Sequence, residues 1–377
     1  MTEADQGLSE LLADIKEVIS PKLSEAELQD LQATNPRSFF DTICVQAVEE
    51  RASDIFWKAG APPSLRIAGK IVQLDIEPLT PKQMEEIFFY GVMSEEQREK
   101  FRQRPECDTA LEIPDVIRFR VNIYKQRGAL GCVMRLIPLE IPTLEELGLP
   151  QVLSQFATPK QGMIIVTGPT GSGKSTTLAA IIDLINSNRR CNIVTIEDPI
   201  EFSHRDKLSI VSQREVGVDT GNFHDALRAV LRQAPDVILV GEMRDVETMA
   251  VGMTAAETGH LVFSTLHTNS AAETVERILN MFPPHEKEQI CMRLSTTLRG
   301  VISQKLVPTI DGKRRVAALE VMMNTPTIAK FIEEGRPGSI PQAINEGAYY
   351  GMQSMNMSLL NHYRDGMITE QNAIAYA

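Results

Sequence analysis

Between residues 168 and 176 the chain reads Gly168-Pro169-Thr170-Gly171-Ser172-Gly173-Lys174-Ser175-Thr176, which fits G-x-x-x-x-G-K-[ST]. Glycines at these spacings let the backbone curl so that successive N–H groups face phosphate oxygens, and a helix N-terminus adds partial positive charge. A lysine at position 174 reaches the β- and γ-phosphates, and the Ser175 hydroxyl is a ligand for Mg²⁺. The segment lies where that chemistry needs it, between the apolar run Met163–Thr167 and a helical pattern that starts at Ser175. It implies a nucleotide site with Mg²⁺ as the accompanying metal.

Carboxylates follow at two strand ends. Asp236-Val-Ile-Leu-Val-Gly241-Glu242 is an apolar strand ending in an acid, with Gly241 where a magnesium-binding aspartate would stand. Glu242 is therefore read as the group that orients or deprotonates the attacking water rather than as a metal ligand. Thr195-Ile-Glu197-Asp198-Pro199-Ile-Glu201 supplies three more acids, and Glu201 is the candidate for holding Mg²⁺ through water. His260 and His267 flank the run Leu261–Thr265. Seven extended residues at about 3.3 Å each separate them by about 23 Å, too far for one shared metal. His267 ends the strand on the nucleotide side and is placed to sense phosphate; His260, after Gly259, is read as a second nucleotide contact or a structural cap. Arg118, Arg120, Arg127 and Arg135 cluster on two neighbouring strand-like runs. Lys313-Arg314-Arg315 reads as a solvated hairpin turn.

Positioning these groups calls for a doubly wound, mostly parallel sheet. Met163–Thr167, Asn192–Ile196, Val237–Val240 and Leu261–Thr265 are near-continuous apolar runs of the kind that belong in a sheet covered on both faces. In such sheets the C-terminal strand ends open onto one ligand crevice. Residues 161–377 thus form an α/β nucleotide domain with a helical tail, in which Met355, Leu359 and Tyr363 share one helix face. Residues 37–140 read as a separate mixed α/β unit, with strands at Ser53–Trp57, Ser64–Ala68, Ile117–Lys125 and Cys132–Ile137. Helices open at Thr80-Pro81 and at Ser94-x-x-Gln97. Pro138, Pro142 and Pro150 mark an expected linker over residues 141–160. Residues 1–36 carry eight carboxylates against Lys16 and Lys22, an acidic extension with a capping box at Ser24-x-x-Glu27 and apolar residues at helical spacing from Leu12 to Leu23.

Lys plus Arg is 38 and Asp plus Glu is 50, a net charge of −12. That balance, with no basic loop interleaved with aromatics, argues against a nucleic-acid partner. Five scattered cysteines without a C-x-x-C pair indicate neither a disulfide framework nor a zinc ribbon. The opening residues lack a basic n-region and apolar h-region, and no apolar stretch reaches the roughly 18–20 residues of a membrane span. The expectation is a cytoplasmic protein.

The order of these motifs resembles the secretion-type ATPases, and most closely the PilT/PilU twitching-motility ATPases that retract type IV pili. The resemblance covers roughly residues 45–365. It rests on Ala52-Ser-Asp-Ile, Phe119-Arg-Val-Asn, the phosphate loop, Thr195-Ile-Glu-Asp-Pro-Ile-Glu, Gln213-Arg-Glu-Val-Gly, Val240-Gly-Glu-Met-Arg-Asp, Ala256-Glu-Thr-Gly-His and Ser264-Thr-Leu-His-Thr. It implies a PAS-like first domain, a RecA-like second domain and a homohexamer in which the first domain of one subunit packs on the RecA-like domain of the next. By motif, Glu242 matches the Walker B glutamate, Glu201 the Asp-box glutamate, His260 and His267 the His box, and Arg120 and Arg135 the arginines reaching phosphate. The implied partner is a platform protein of the pilus machine at the inner face of the bacterial inner membrane. Arg232-Gln-Ala-Pro-Asp leans towards PilU, which keeps open an accessory ring subunit that couples to a paralogous main motor.

Overall fold

The computed structural model describes residues 32, 34–113, 117–137 and 140–377. The helical turns expected in the acidic extension, and its capping box at Ser24, lie outside them. The chain divides into two units, one reaching to Leu139 and the other spanning Glu140–Ala377.

In the first unit, helix α1 (Pro36–Glu49) starts where the Asn35 side chain accepts from the Ser38 N–H and Pro36 occupies the first turn. Strands β1 (Asp54–Lys58), β2 (Ser64–Ile67) and β3 (Lys70–Gln73) follow. Then come α2 (Pro81–Met84), which runs on into a π-turn to Tyr90, and α3 (Glu95–Gln103). Thr80 with Gln83 and Ser94 with Gln97 close the capping boxes at which these two helices begin. Strands β4 (Glu106–Ile113), β5 (Ile117–Gln126) and β6 (Ala129–Ile137) complete the sheet, in the antiparallel order β3-β2-β1-β6-β5-β4. The side-chain period of two sends Ile117, Phe119, Val121 and Ile123 inward, while Arg120 on the same strand is exposed. α1 covers the inner face with Phe39, Phe40, Ile43, Cys44 and Ala47. Trp57, the chain's one tryptophan, stands 5.4 Å from the rings of both Phe40 and Phe88. This is a separate α/β unit, as the sequence led us to expect.

In the second unit, the stretch 141–160 differs from the linker expected. Its prolines break the pattern, yet Leu149, Leu153 and Phe156 are buried, the last two on a 3-10 helix at Gln151–Ala157, and they belong to the core of this unit. The segment is thereby tied down by apolar burial. Strand β7 (Gly162–Thr167) is buried throughout and leads into α4 (Lys174–Asn188). Next are β8 (Asn192–Glu197), β9 (Ile210–Glu215), α5 (Phe223–Val230), β10 (Val237–Val240), α6 (Val246–Glu257) and β11 (Leu261–Leu266). Helices α7 (Ala271–Met281) and α8 (Lys287–Thr297) precede a long hairpin of β12 (Leu298–Pro308) and β13 (Arg315–Met323). α9 (Pro326–Glu333), α10 (Ile340–Glu346), α11 (Met355–Arg364) and α12 (Glu370–Tyr376) form the tail.

The sheet order is β13-β12-β7-β11-β10-β8-β9, parallel except where β12 meets β13. Alternation along β7 sends Met163 and Ile165 into one core and Ile164 and Val166 into the other. The sheet is therefore covered on both faces, and functional groups are left to the strand ends. The expected strands of this unit each extend by a residue or less; β9, β12 and β13 were not among them, though the hairpin turn expected at Lys313-Arg314-Arg315 is where β12 turns back into β13. The five cysteines are free thiols. No helix among the described residues is long and apolar enough to cross a membrane.

Candidate functional site

The chain leaves β7 through a loop held from behind by β12. Gln304 Nε2 donates to the Ser172 carbonyl at 2.8 Å, and its Oε1 accepts from Thr177 Oγ1 at 2.7 Å. At Gly168 φ is +144°, and a Cβ there would lie 2.2 Å from the Gln304 carbonyl oxygen. Only glycine fits this close approach. A Gly168→Ala substitution should lower unfolding stability by about 2–3 kcal/mol, through backbone strain plus displacement of β12. Urea denaturation followed by circular dichroism checks it, and an unchanged midpoint would show that the loop adapts freely. Gly173, at φ +87°, is the residue from which α4 starts. Lys174 is 9% exposed, and its Nζ donates to the carbonyls of Gly168 at 2.8 Å and Pro169 at 3.1 Å. Burial pushes the Lys174 ammonium below the usual lysine pKa, opposed by the charges of Glu242 and Glu201. Across the strand ends a hydroxyl chain links Thr167 to Thr268 and Thr268 to Thr274, each Oγ1 pair 2.6 Å apart. It fastens the start of the phosphate loop to the segment that follows His267.

A cleft of about 750 Å³ opens over this loop. Thr170, Gly171, Gly173, Lys174, Ser175 and Thr176 line it from the loop and α4. Glu201, Glu242 and His267 line it from the ends of β8, β10 and β11. Gly168, Pro169 and Ser172 shape the loop without facing the cleft. Glu242, immediately after β10 and Gly241, is the most constrained acid. Its Oε1 lies 2.5 Å from Arg244 Nε and 3.3 Å from His267 Nε2, with the carboxylate side chain 15% exposed. Glu201 is exposed at the cleft edge. Glu197 is bound inward: its Oε1 accepts from Thr195 Oγ1 at 2.5 Å and Gln213 Nε2 at 3.0 Å. Burial holds the Glu197 carboxyl above its usual pKa, with those two hydrogen bonds pulling the other way. Gln213 also donates to the Phe202 carbonyl at 2.9 Å and accepts from the His204 N–H at 2.7 Å. It thus staples the Glu201-bearing segment to β9. His204 lines the cleft, and its burial lowers its pKa to about 4, so at neutral pH it is an uncharged imidazole.

Of the remaining expected contacts, His260 falls outside this cleft, while Arg120 and Arg135 belong to the first unit. His260 precedes β11, at the end opposite His267, and its Nδ1 lies 2.9 Å from the Ala255 carbonyl. With its own N–H bonded to the same carbonyl, it closes the turn after α6. The cap alternative therefore describes His260 in its own chain, because a parallel strand carries its two ends to opposite edges of the sheet. Arg120 and Arg135 are cross-strand partners on β5 and β6 of the first unit. Arg135 Nε binds Asp54 Oδ1 at 3.0 Å, yet the arginine side chain stays 67% exposed. Three residues carried little signal: Gln304, behind the loop, and Arg315, at the cleft, are far from the loop in sequence, and Arg244 was visible only as the arginine two places after Glu242. Lys313, Arg314 and Arg315 are exposed at the turn between β12 and β13, as expected, and Arg315 also lines the cleft wall.

A phosphate loop, a strand-end carboxylate and a mostly parallel sheet covered on both faces define a RecA-like P-loop ATPase. Comparison with known proteins places the chain more narrowly. The family model described as Type II/IV secretion system protein matches residues 29–374. The type IV pilus retraction ATPase PilT of Pseudomonas aeruginosa is 46% identical over 327 residues, covering 87% of this chain and 94% of that protein. The type IV pilus ATPase PilU of the same organism is 44% identical over 338 residues, 90% of this chain and 88% of that one. A crystal structure of the pilus retraction motor PilT with bound ADP superimposes with a TM-score of 0.81 at 44% identity, covering 89% and 96% of the two chains. The chain belongs to the type II/IV secretion system protein family, as a PilT-like ATPase within it.

Proposed function

We propose that this chain is the ATP-hydrolysing subunit of a homohexameric motor that retracts type IV pili. The observation that carries the reading is the pairing of Lys174 with Glu242 across one cleft, the acid held by Arg244 and His267 on the γ-phosphate side. In this reading the loop N–H groups and Lys174 bind the β- and γ-phosphates, Thr176 extends that contact along α4, and Glu242 orients the attacking water and takes its proton. The donors at the cleft are oxygens, from the Ser175 hydroxyl and from carboxylates, and they suit a hard cation that keeps several waters. Ser175 would hold Mg²⁺ directly and Glu201 through water. The metal, when bound with ATP, neutralises charge on the transferred phosphoryl group. His267 reports the state of the γ-phosphate to Glu242, which it touches.

Arg120 and Arg135 are read as serving the nucleotide of a neighbouring copy, where cations stabilise charge that develops on the phosphoryl group. Their exposure on one sheet face supports that assignment. Nucleotide-driven domain rotations in such a ring would be passed to a platform protein at the cytoplasmic face of the inner membrane. The relatives of both names, PilT and PilU, support a paralogous ATPase as a further partner. Native mass spectrometry combined with steady-state turnover tests the reading. A hexamer whose ATP turnover requires Mg²⁺ is expected. An assembled ring that binds ATP without turning it over would replace the autonomous motor with the accessory subunit.

A further inference from the structure

Ala271 opens α7, and its N–H is one of the first-turn donors that a helix cannot satisfy from within. The residue is fully buried, so bulk water does not reach it. Glu320 of β13 serves it instead, its Oε1 accepting from the Ala271 N–H at 2.7 Å. A carboxylate is a costly group to bury for one amide. Glu320 is 9% exposed, and burial pushes its carboxyl above the usual pKa, with the Ala271 N–H, the Ser303 hydroxyl and the charge of Lys305 pulling the other way. Nor is it needed as a cap. Ser270 already caps α7, accepting from the Glu273 N–H at 3.2 Å.

The chain between Ala271 and the cleft is short. β11 ends at Leu266, His267 follows, and only Thr268, Asn269 and Ser270 separate it from α7. Thr268 N–H donates to Thr167 Oγ1 at 2.9 Å, and Asn269 N–H to Glu273 Oε2 at 2.8 Å. With Ala271 bound to Glu320, this connection is fixed from β7, from α7 and from β13. Thr167 pairs with Ser303 and Ser303 with Glu320, so two of the anchors stand in one row across the sheet. His267 heads the connection with its side chain 42% exposed and its Nε2 3.3 Å from Glu242 Oε1. An imidazole so little buried takes its position largely from the backbone that carries it. We propose that Glu320 is a positioning residue for ATP hydrolysis, holding the start of α7 so that the His267 imidazole stays against Glu242. It does not line the cleft and acts through His267. This deepens the reading of the site above and rests on the role of His267 in it.

ATP turnover and ADP binding of the full chain, measured with and without His267→Ala, test it. Glu320→Leu combined with Ala271→Pro removes acceptor and donor together, so that no buried group is orphaned. Proline suits the first helical position, and Ser270, at φ −147° and ψ 163°, already has the extended backbone required before it. The pair should lower kcat about tenfold, the scale of a sub-ångström misplacement at the reacting groups, and leave ADP affinity within about twofold. In the His267→Ala background the pair should cost nothing more, because its effect runs through the imidazole. Glu320→Gln keeps an oxygen for the Ala271 N–H and should stay within about threefold of wild-type kcat. Wild-type kcat in the pair would overturn the proposal. So would an equal loss in both backgrounds, the mark of a merely structural role, or a glutamine variant as impaired as the pair. His267→Ala with wild-type kcat would instead remove the reading of His267, and this inference with it. Should the pair lower the ligand-free thermal midpoint, Glu320→Ala, which leaves room for a water at the Ala271 N–H, carries the same comparison.

Discussion

Glu242→Gln should reduce ATP turnover by roughly 10²- to 10⁴-fold while leaving nucleotide binding intact, the effect of losing a positioned general base. The substitution keeps the shape of the side chain and its reach towards Arg244 Nε and His267 Nε2, now at 2.5 and 3.3 Å from Oε1, but removes the charge that attracts both. A steady-state assay with saturating Mg²⁺ and ATP reads the rate, and equilibrium binding of ADP reads the control. Turnover indifferent to the change would move the base to another acid. Glu201 would be the first candidate, since Glu197 Oε1 is already taken up by Thr195 and Gln213. Arg244 sharpens the expectation. Hydrogen bonding to Glu242 holds its guanidinium above the usual arginine range, so the pair is matched in the ligand-free chain. Water activation by Glu242 then requires Arg244 to share or release the carboxylate when nucleotide binds.

The parts of this site that were legible in sequence are those built locally. A phosphate loop is nine consecutive residues between a strand and a helix, and a carboxylate after four buried apolar residues marks a strand end. Parallel strands buried on both faces appear as short unbroken apolar runs, which is why β7, β8, β10 and β11 were visible within a residue of their ends. β12 was not, because Gly300, Ser303, Gln304 and Lys305 interrupt its run. Those same residues do long-range work: Gln304 reaches Ser172 across 132 positions of sequence. No local pattern announces such a contact. Arg315 is exposed at a hairpin turn as its basic triplet suggested, but its place at the cleft comes from the strand order, which no local pattern gives. His260 shows the converse. Chain arithmetic already separated it from His267 by a strand length, and the fold turns that separation into opposite edges of the sheet. The prolines between 138 and 150 suggested a linker because backbone breakers look alike whether a segment is free or docked. What decides is the burial of Leu149, Leu153 and Phe156, a tertiary fact.

Lys174→Ala should abolish useful nucleotide affinity, and its signature has two parts that point in opposite directions. In the proposed reading the ammonium meets the β- and γ-phosphates from the loop, so its loss is expected to raise the ATP dissociation constant by about 100-fold or more, consistent with a charge-assisted contact to a multiply charged phosphate. Ligand stabilisation follows RT ln(1 + [L]/Kd). At a ligand concentration 100 times the wild-type Kd it amounts to about 2.7 kcal/mol, and a 100-fold weaker variant retains only about 0.4 kcal/mol. For a domain the size of the second unit that difference corresponds to a thermal shift of roughly 5–9 °C falling to about 1 °C. The ligand-free protein should behave otherwise. Lys174 is 9% exposed, and among the described residues its Nζ is satisfied only by the Gly168 and Pro169 carbonyls, with burial already pressing against the charge. Removing a half-compensated buried ammonium costs little or even stabilises, since the desolvation it imposed is relieved. The expected result is therefore an unchanged or higher midpoint without nucleotide and a rise of only about 1 °C on adding ATP. A variant whose ligand-free midpoint collapses would show that Lys174 holds the loop together through its two carbonyl contacts. One that keeps the full nucleotide-induced rise would show that phosphate is bound somewhere other than this loop.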